Sequence, residues 1–434
     1  MAMAACIFWR DMEMNDVFSW NTLVCGYVQN GHEEEAVKLF MLMGESGVRW
    51  NEHSLTTVLK ACSGLRNLRL GKEVHGKVLR YQLCSNTFIQ SAIVDIYCKC
   101  GNMNYAESVV LATGDLDPFI TSSMIVGYSA EGNMTEARRI FDLLEEKNSV
   151  VWTALFSGYA RLHQCDAVFD LFCEFRAEQR SVPDAPILLA MLSACASQAA
   201  IVAGKQIHGF IFRMGIEMDI KMTSAMVDMY SKSGSMTYAE NLFHSAYVKD
   251  TFLYNVMLAS YAHHGNGIEA IRLFDEMLEK GAAPNEVTFI ALLSACRHRG
   301  LVDLGEEIFH YMTKECKIHP HSNHYACMID LYGRAHQIEK AALFMKSIPA
   351  GQQNAAVLGA FLTACRFNSN AELARDAEEK LLNLDGENGS RYVQLANVYA
   401  AEGNWSEMGR IRKEMKEKEA KRLTGCSWVF VDRG

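Results

Sequence analysis

A stretch of 35 residues, Thr251–Asn285, recurs along this chain, and no other feature restricts the possible folds as strongly. It reads TFLYNVMLASYAHHGNGIEAIRLFDEMLEKGAAPN. Two segments of apolar periodicity flank His264-Gly265-Asn266. In the second, Ile271, Phe274 and Met277/Leu278 fall three to four residues apart, the spacing of one helix face. Gly281 supplies a residue that tolerates positive φ, and Pro284 follows as a stop. The unit is therefore a helix, a tight turn and a second helix. So small a pair cannot bury its apolar face alone and needs a neighbour on each side, which predicts an all-α stack of helix-turn-helix pairs.

The copies follow one another without a break. Val17–Asn51, Glu52–Asn86 and Ala185–Asp219 also span 35 residues, whereas Thr87–Asp117, Pro118–Asn148 and Ile220–Asp250 span 31. Ser149–Asp184 and Glu286–His321 run to 36, and Ser322–Gln353 to 32. Related types return in order: Gly204-Lys205-Gln206-Ile207-His208-Gly209 matches Gly71–Gly76 at an offset of 133. This regular cycling of lengths predicts a composite array over residues 16–353, with about ten repeats, in place of a uniform solenoid. Residues 1–15, with Ala5-Cys6-Ile7-Phe8 and Arg10-Asp11-Met12, look like the second helix of a copy whose first helix is missing. After Gln353 the sequence changes character but still predicts helix pairs, Leu358–Arg366 with Ala371–Leu384 and Tyr392–Ala401 with Ser406–Lys418. These form a helical extension over 354–430, ahead of a short tail at 431–434.

Composition narrows the function classes. The net charge is −9, from 42 Lys and Arg against 51 Asp and Glu, which argues against a nonspecific polyphosphate binder. Fourteen cysteines in 434 residues are too dilute for a disulfide scaffold, and Cys62, Cys195 and Cys296 each fall eleventh in a copy, as reduced core thiols should. The apolar run Ala185–Gly204 is split by Ser197 and Gln198 where a turn is due, so it is a further copy and not a membrane span. Lys413–Arg422 is a charge run expected to form a solvated helix face with i,i+4 pairs. Cys98-Lys99-Cys100, His75 and His208 lie in different copies of an elongated stack, and four convergent metal ligands are not expected among them. His263-His264 belongs to no triad, and the stripe Met222, Met226 and Met229 suits packing between copies. No metal, cofactor or catalytic residue is expected, and the chain is not expected to be an enzyme.

Trp20-Asn21-Thr22-Leu23, Gly26-Tyr27, Asn30-Gly31, Glu35-Ala36 and Leu39-Phe40 have counterparts in most later copies. With Leu292–Cys296, His324–Asp330, Gly359–Arg366 and Gly425-Cys426-Ser427-Trp428, they give the chain its resemblance to a known family. It resembles plant organellar pentatricopeptide-repeat proteins of the class that mixes repeat lengths and carries C-terminal extension motifs. The resemblance implies a right-handed α-solenoid that binds single-stranded RNA in mitochondria, or alternatively chloroplasts, at one base per repeat. Members with this tail resemble site-recognition factors for cytidine-to-uridine RNA editing. In some, a zinc cytidine-deaminase domain follows, with His-x-Glu and Cys-x-x-Cys elements. No Cys-x-x-Cys occurs in this sequence, so a deaminase-bearing partner protein, bound with other editing factors through the extension, is expected to supply the chemistry. A targeting segment, of which Met1–Asn15 shows no sign, is expected to be missing along with the first helix.

The candidate contact residues are polar where the pattern could have been apolar. The fifth residue of each copy, expected in the first turn of the first helix, and the last residue of the copy should both face the groove of a stack. The pairs are Asn21/Asn51, Thr56/Asn86, Ser91/Asp117, Ser122/Asn148, Thr153/Asp184, Leu189/Asp219, Ser224/Asp250 and Asn255/Asn285. Helix capping accounts for the terminal residue but gives no reason for its partner. An aspartate accepts hydrogen bonds only and suits guanine N1–H or uracil N3–H. An asparagine amide also donates and suits adenine N1 or cytosine N3. Carried over from the resemblance, a Ser or Thr fifth residue implies a purine and an Asn a pyrimidine. Together these suggest 5′-Y-n-G-A-G-n-G-Y-3′, with Leu189, Ile290 and Ala326 departing from the polar pattern. The second residues Phe18, Val150 and Phe252 would wedge between successive bases.

A second class competes with RNA binding: a tetratricopeptide-like scaffold that holds protein segments in its groove. The negative charge favours it. The cycle of 31, 35 and 36 residues and the polar pairs oppose it, because a scaffold would favour a uniform period and basic or apolar groove residues.

Overall fold

The computed structural model describes residues 16–83, 86–113, 117–179, 182–368, 370–385, 388–418 and 420. The partial copy at 1–15 and the motif Gly425–Trp428 lie outside the described residues. The chain divides into two compact units, Met1–Ile216 and Glu217–Gly434. In the first, the pairs are α1 (Val17–Gln29) with α2 (Glu33–Glu45), α3 (Glu52–Gly64) with α4 (Leu68–Arg80) and α5 (Thr87–Lys99) with α6 (Met103–Thr113). They continue as α7 (Pro118–Ala130) with α8 (Met134–Leu143), α9 (Ser149–Arg161) with α10 (Cys165–Gln179) and α11 (Ala185–Ser197) with α12 (Ile201–Arg213). The second unit holds α13 (Ile220–Lys232) with α14 (Met236–Ser245), α15 (Thr251–His263) with α16 (Gly267–Glu279) and α17 (Glu286–Arg299) with α18 (Val302–Lys314). It ends with α19 (Ser322–Arg334) and α20 (Ile338–Ser347), α21 (Ala355–Phe367) and α22 (Ala371–Asp385), and α23 (Gly389–Ala401) and α24 (Trp405–Glu417).

Each unit is an α-solenoid of stacked helix pairs, and the repeat register sets where its helices begin. All ten first helices of the array start on the first residue of a sequence copy, and before eight of them the last residue of the preceding copy is a side-chain cap. Asn51, Asn86, Asp117, Asn148, Asp184, Asp219, Asp250 and Asn285 each accept a backbone N–H from the first turn of the next helix. One such cap is worth about 1 kcal/mol against alanine. The extension uses the same device earlier than expected. Asn354 and Asn388 cap helices that begin at Ala355 and Gly389, not at Leu358 and Tyr392.

Inside a pair the chain reverses through one left-handed residue. Gly265 at φ +71° lets Asn266 N–H reach Tyr261 C=O at 2.9 Å. Ala199 and His163 make the same turn at φ +52° and +57° without glycine, in a region that costs an L-residue roughly 1–2 kcal/mol. Each first helix packs against the first helix of the next copy within its unit as well as against its own partner. First helices are therefore apolar on several sides, as in α15, where Leu253, Tyr254, Met257, Leu258, Tyr261 and Ala262 are all buried. Second helices carry one apolar stripe, in α16 Ala270, Leu273, Phe274 and Met277.

A phenol at the eleventh place of many first helices ties a copy to the one before it. Tyr97 meets His75 Nδ1 at 2.9 Å, Tyr261 donates to Glu240 at 3.2 Å, and Tyr332 to Glu306 at 3.0 Å. Tyr128 donates to Glu107 and Tyr399 to Glu378 in the same way. Burial, then the bonded carboxylate, pushes the Tyr399 phenol up to about 12. Cys62 and Cys296 fill the same place as buried thiols, pushed by burial up to about 12 and about 11. The run Ala185–Gly204 divides into α11 and α12, and no described helix is long and apolar enough to cross a membrane. The charge run ends α24 with Lys413–Glu417 at 3.6 Å and Lys418–Glu414 at 2.8 Å, both i,i+4 pairs with exposed lysines.

Candidate nucleic-acid interface

The capping bond spends one side-chain oxygen of each terminal residue and so fixes what remains. Asp117 Oδ1 accepts from Ile120 N at 2.7 Å, Asp219 Oδ1 from Met222 N at 2.7 Å and Asp250 Oδ1 from Leu253 N at 2.9 Å. Asp184 makes the longer equivalent bond to Ile187 N, at 3.4 Å. Each keeps a second oxygen that can only accept. Asn148 Oδ1 takes Val150 N and Val151 N at 3.1 and 3.2 Å, and the same oxygen of Asn51 and Asn285 is spent on its own helix. Each of these asparagines is left with an NH2 that can only donate. Asn86 differs, because its Nδ2 is turned to Glu52 Oε2 at 2.6 Å.

The fifth residues stand one position past the first turn, not within it as expected, since the helix starts on residue one of the copy. They fall into two kinds. Thr56, Ser91, Ser122 and Ser224 each donate the hydroxyl back to a carbonyl of their own helix, at 2.8, 3.2, 2.9 and 2.7 Å, which leaves oxygen lone pairs as acceptors. Thr153 is half-buried at the same register. Asn21 and Asn255 instead reach the terminal residue of their own copy, with Nδ2 to Oδ1 distances of 3.0 Å to Asn51 and 3.0 Å to Asn285. These two pairs are brought together directly; among the described residues the other pairs share no side-chain bond.

Two participants escaped the sequence reading. Ser54 Oγ lies 2.6 Å from Asn21 Oδ1, and Thr288 Oγ1 lies 2.6 Å from Asn255 Oδ1. Both are the third residue of the following first helix. The signal was present, since Ser54 and Thr288 are polar at a place that is apolar in most copies.

The second residues project outward. Phe18 is 77% exposed, Phe252 58% and Val150 43%. Phe88, Phe119 and Val287 hold the same register with 73, 61 and 54% exposure, and could have been found by counting from the copy start. Phe252 and Val287 border a cleft of about 600 Å³ lined also by Asp250, Asn255, Ala259 and Asn285, which places a polar pair between two apolar posts. Farther along, Ala326 and Gly359 hold the fifth place beside a cleft that Arg297, Arg334 and Arg391 also line, with Asp330 bound by Arg334 Nε at 3.0 Å. Among the described residues, no group of three or more His, Cys, Asp or Glu side chains could hold a metal ion.

Stacked helix pairs of mixed length, each capped by the polar residue that closes the copy before it, define a class of repeat protein. The family models described as "PPR repeat family" and "PPR repeat" match residues 15–64 and 249–298, and 119–149, 150–179 and 287–316. That described as "E motif" matches 368–430. The chain belongs to the pentatricopeptide-repeat family. It is 51% identical to a putative pentatricopeptide repeat-containing protein of Arabidopsis thaliana, over 99% of this chain and 63% of the relative. It is 34% identical to the chloroplastic protein DOT4 of the same plant, over 97% of this chain and 56% of the relative. A mitochondrial pentatricopeptide repeat-containing protein of that plant is 32% identical, over 96% of this chain and 45% of the relative. The chain thus spans about half to two thirds of the length of these relatives. Among solved structures, PPR10 from maize shares the fold with a TM-score of 0.55 at 16% identity, covering 95% of this chain and 65% of that one. PPR10 in complex with an 18-nt psaJ RNA element gives 0.51 at 14% identity, covering 94% and 80%.

Proposed function

We propose that this chain binds single-stranded RNA sequence-specifically in an organelle, with the fifth and last residues of successive copies selecting one base each. The observation that carries this reading is the division of labour in the terminal residues. The cap takes one oxygen inward and leaves, at a fixed place in each copy, a pure acceptor on Asp117, Asp184, Asp219 and Asp250 and a pure donor on Asn51, Asn148 and Asn285. Capping and base selection are therefore compatible uses of one side chain. Thr56, Ser91, Ser122 and Thr153 add an acceptor at the fifth place; Ser224, Asn21 and Asn255 are buried there, at 2, 5 and 6% exposure, and the two asparagines act through the cap they hold. Phe18, Phe88, Phe119, Val150, Phe252 and Val287 supply faces on which bases stack irrespective of sequence. The solved complex of PPR10 with an RNA element supports the same reading.

The order of the pairs favours 5′-Y-n-G-A-G-n-G-Y-3′. At the second place Glu52 takes one of the two N–H groups of the Asn86 amide, which narrows what that side chain can offer a base. The E-motif match supports a role in recognising cytidine-to-uridine editing sites, with the deaminase brought by a partner protein through the helical extension. The chloroplastic and mitochondrial relatives support either organelle. Selection from a random single-stranded RNA pool tests the reading directly and should enrich this motif; an unenriched pool, or a preference for duplex, rules it out. On a matched RNA the purified chain alone should leave cytidine unconverted.

A further inference from the structure

The Asn21/Asn51 and Asn255/Asn285 pairs are each closed by a third side chain from the next copy. Ser54 Oγ sits 2.6 Å from Asn21 Oδ1 and 2.9 Å from Asn51 Oδ1, and Thr288 Oγ1 sits 2.6 Å from Asn255 Oδ1 and 3.2 Å from Asn285 Oδ1. The fifth residue's amide nitrogen donates to the cap oxygen, and that oxygen also accepts the third residue's backbone N–H. Both carbonyl oxygens of each pair are thereby held from within, and only amide N–H groups are left over. Ser54 and Thr288 are 2% and 0% exposed, and each spends its hydroxyl on the asparagine pair.

A capping box explains part of this, since each hydroxyl also accepts from the backbone N–H of the capping residue, at 3.2 and 3.0 Å. It does not explain the bond to a side chain 33 residues earlier. Nor does it explain the company the hydroxyl keeps. Where the fifth residue is Thr56, Ser91, Ser122, Thr153 or Ser224, the third residue of the next copy is Ile89, Ile120, Val151, Ile187 or Leu253, all buried. Of the copies with a polar fifth residue, only the two with asparagine are followed by a hydroxyl.

We propose that Ser54 and Thr288 are specificity-determining positioning residues, which hold the asparagine pair so that it offers donors alone. The base edge this selects has two adjacent acceptors, as cytosine has in N3 and O2. Uracil presents an N3–H between its carbonyls and meets a donor with a donor. This deepens the base-selecting role proposed above and rests on it.

The test is competition binding against RNAs that differ only by C or U opposite the Val17–Asn51 copy. The wild type should favour C by roughly tenfold, and Ser54→Ala should lower that preference by roughly three- to tenfold, the worth of one internal hydrogen bond. Ser54→Thr, the arrangement at Thr288, should restore it, with selection at the other bases unaltered. A gain-of-function arm avoids dependence on a weakened fold. Ser122→Asn together with Val151→Ser should move the preference of that copy from A towards C further than Ser122→Asn alone. A Ser54→Ala protein that melts earlier but keeps its C-to-U ratio would make Ser54 a structural cap and overturn the proposal, as would equal shifts for the single and double variants. Loss of base preference at every position in the wild type would overturn the RNA-binding reading and this inference together, whereas a preference kept elsewhere isolates the failure to Ser54.

Discussion

The copies Val17–Asn51 and Thr251–Asn285 and the 31-residue copies opening at Thr87, Pro118 and Ile220 use the same cap and differ in what the fifth residue does with it. In the first kind an amide crosses 30 residues of sequence to bind the cap at 3.0 Å, and a buried hydroxyl completes the triangle. In the second kind Ser91, Ser122 and Ser224 satisfy their own helices, and the cap stands alone. The first arrangement is pre-organised as a unit; the second presents two side chains that act independently. The start of a helix and the chemistry it displays are thus set by separate positions.

The largest expected effect breaks the coupled kind. Asn51→Ala removes the α3 cap, worth about 1 kcal/mol, and also strands the Asn21 amide, which adds roughly 1–3 kcal/mol for a buried donor left unsatisfied. Asp250→Ala removes only the α15 cap and should lose about 1 kcal/mol. Urea denaturation of the two variants measures the difference, and equal losses would erase the distinction between the two kinds of copy.

Next comes a substitution that sharpens the uncoupled kind. Asn148→Asp keeps the cap oxygen but turns the remaining donor into an acceptor, which opposes adenine N1 and can accept from guanine N1–H. At roughly 1–3 kcal/mol per mismatched contact, preference at this one base should move from A towards G by roughly tenfold or more. Competition binding with RNAs differing only there checks it. Equal weakening towards both RNAs would reduce Asn148 to a structural cap.

Stacking should ignore the comparison. Phe88→Ala and Phe252→Ala, one from each kind of copy, should each weaken RNA binding by roughly tenfold whatever the bases, the scale of one base stacked on an aromatic ring. A sequence-dependent loss in a filter-binding series would instead give these rings a part in base choice.

The smallest effect is a control. Tyr128→Phe and Tyr261→Phe break the same inter-copy bond in the two kinds of copy, to Glu107 and Glu240, and each should cost about 1 kcal/mol or less. In the intact chain the raised phenols stabilise the fold only while protonated. Tyr399 at about 12 contributes fully below the free phenol value of about 10 and loses that contribution as pH climbs towards 12. Alkaline unfolding followed by circular dichroism should begin in that window, and a midpoint insensitive to Tyr399→Phe would remove the phenol from the account.

The helix starts were legible because one residue class, Asn and Asp, ends eight consecutive copies from Asn51 to Asn285 and caps the next helix each time. The extension was misplaced by three residues at Ala355 and Gly389, where Asn354 and Asn388 cap sequences that no longer resemble the array. The fifth and last residues stood out as polar intrusions in an apolar pattern. Ser54 and Thr288 are polar intrusions too, but a hydroxyl three places after Asn already has an explanation as a local cap, and its second bond exists only once two copies are stacked. Phe88 and Phe119 hold the same second place as Phe18 and Phe252 and were legible by register alone; the pitch of the helix puts that place outside.

The shared cap has a consequence for how such a protein changes over generations. Asparagine, aspartate and serine begin helices almost equally well, and Asn and Asp codons differ by a single nucleotide. On the proposed reading, a point mutation at Asn148 or Asp250 re-addresses one letter of the target and leaves the scaffold as sturdy as before. Mutational drift can then explore new targets one letter at a time without passing through unfolded ancestors. The coupled copies are the exception: to re-address Asn21, selection must also change Ser54, so those letters should be the slowest to turn over.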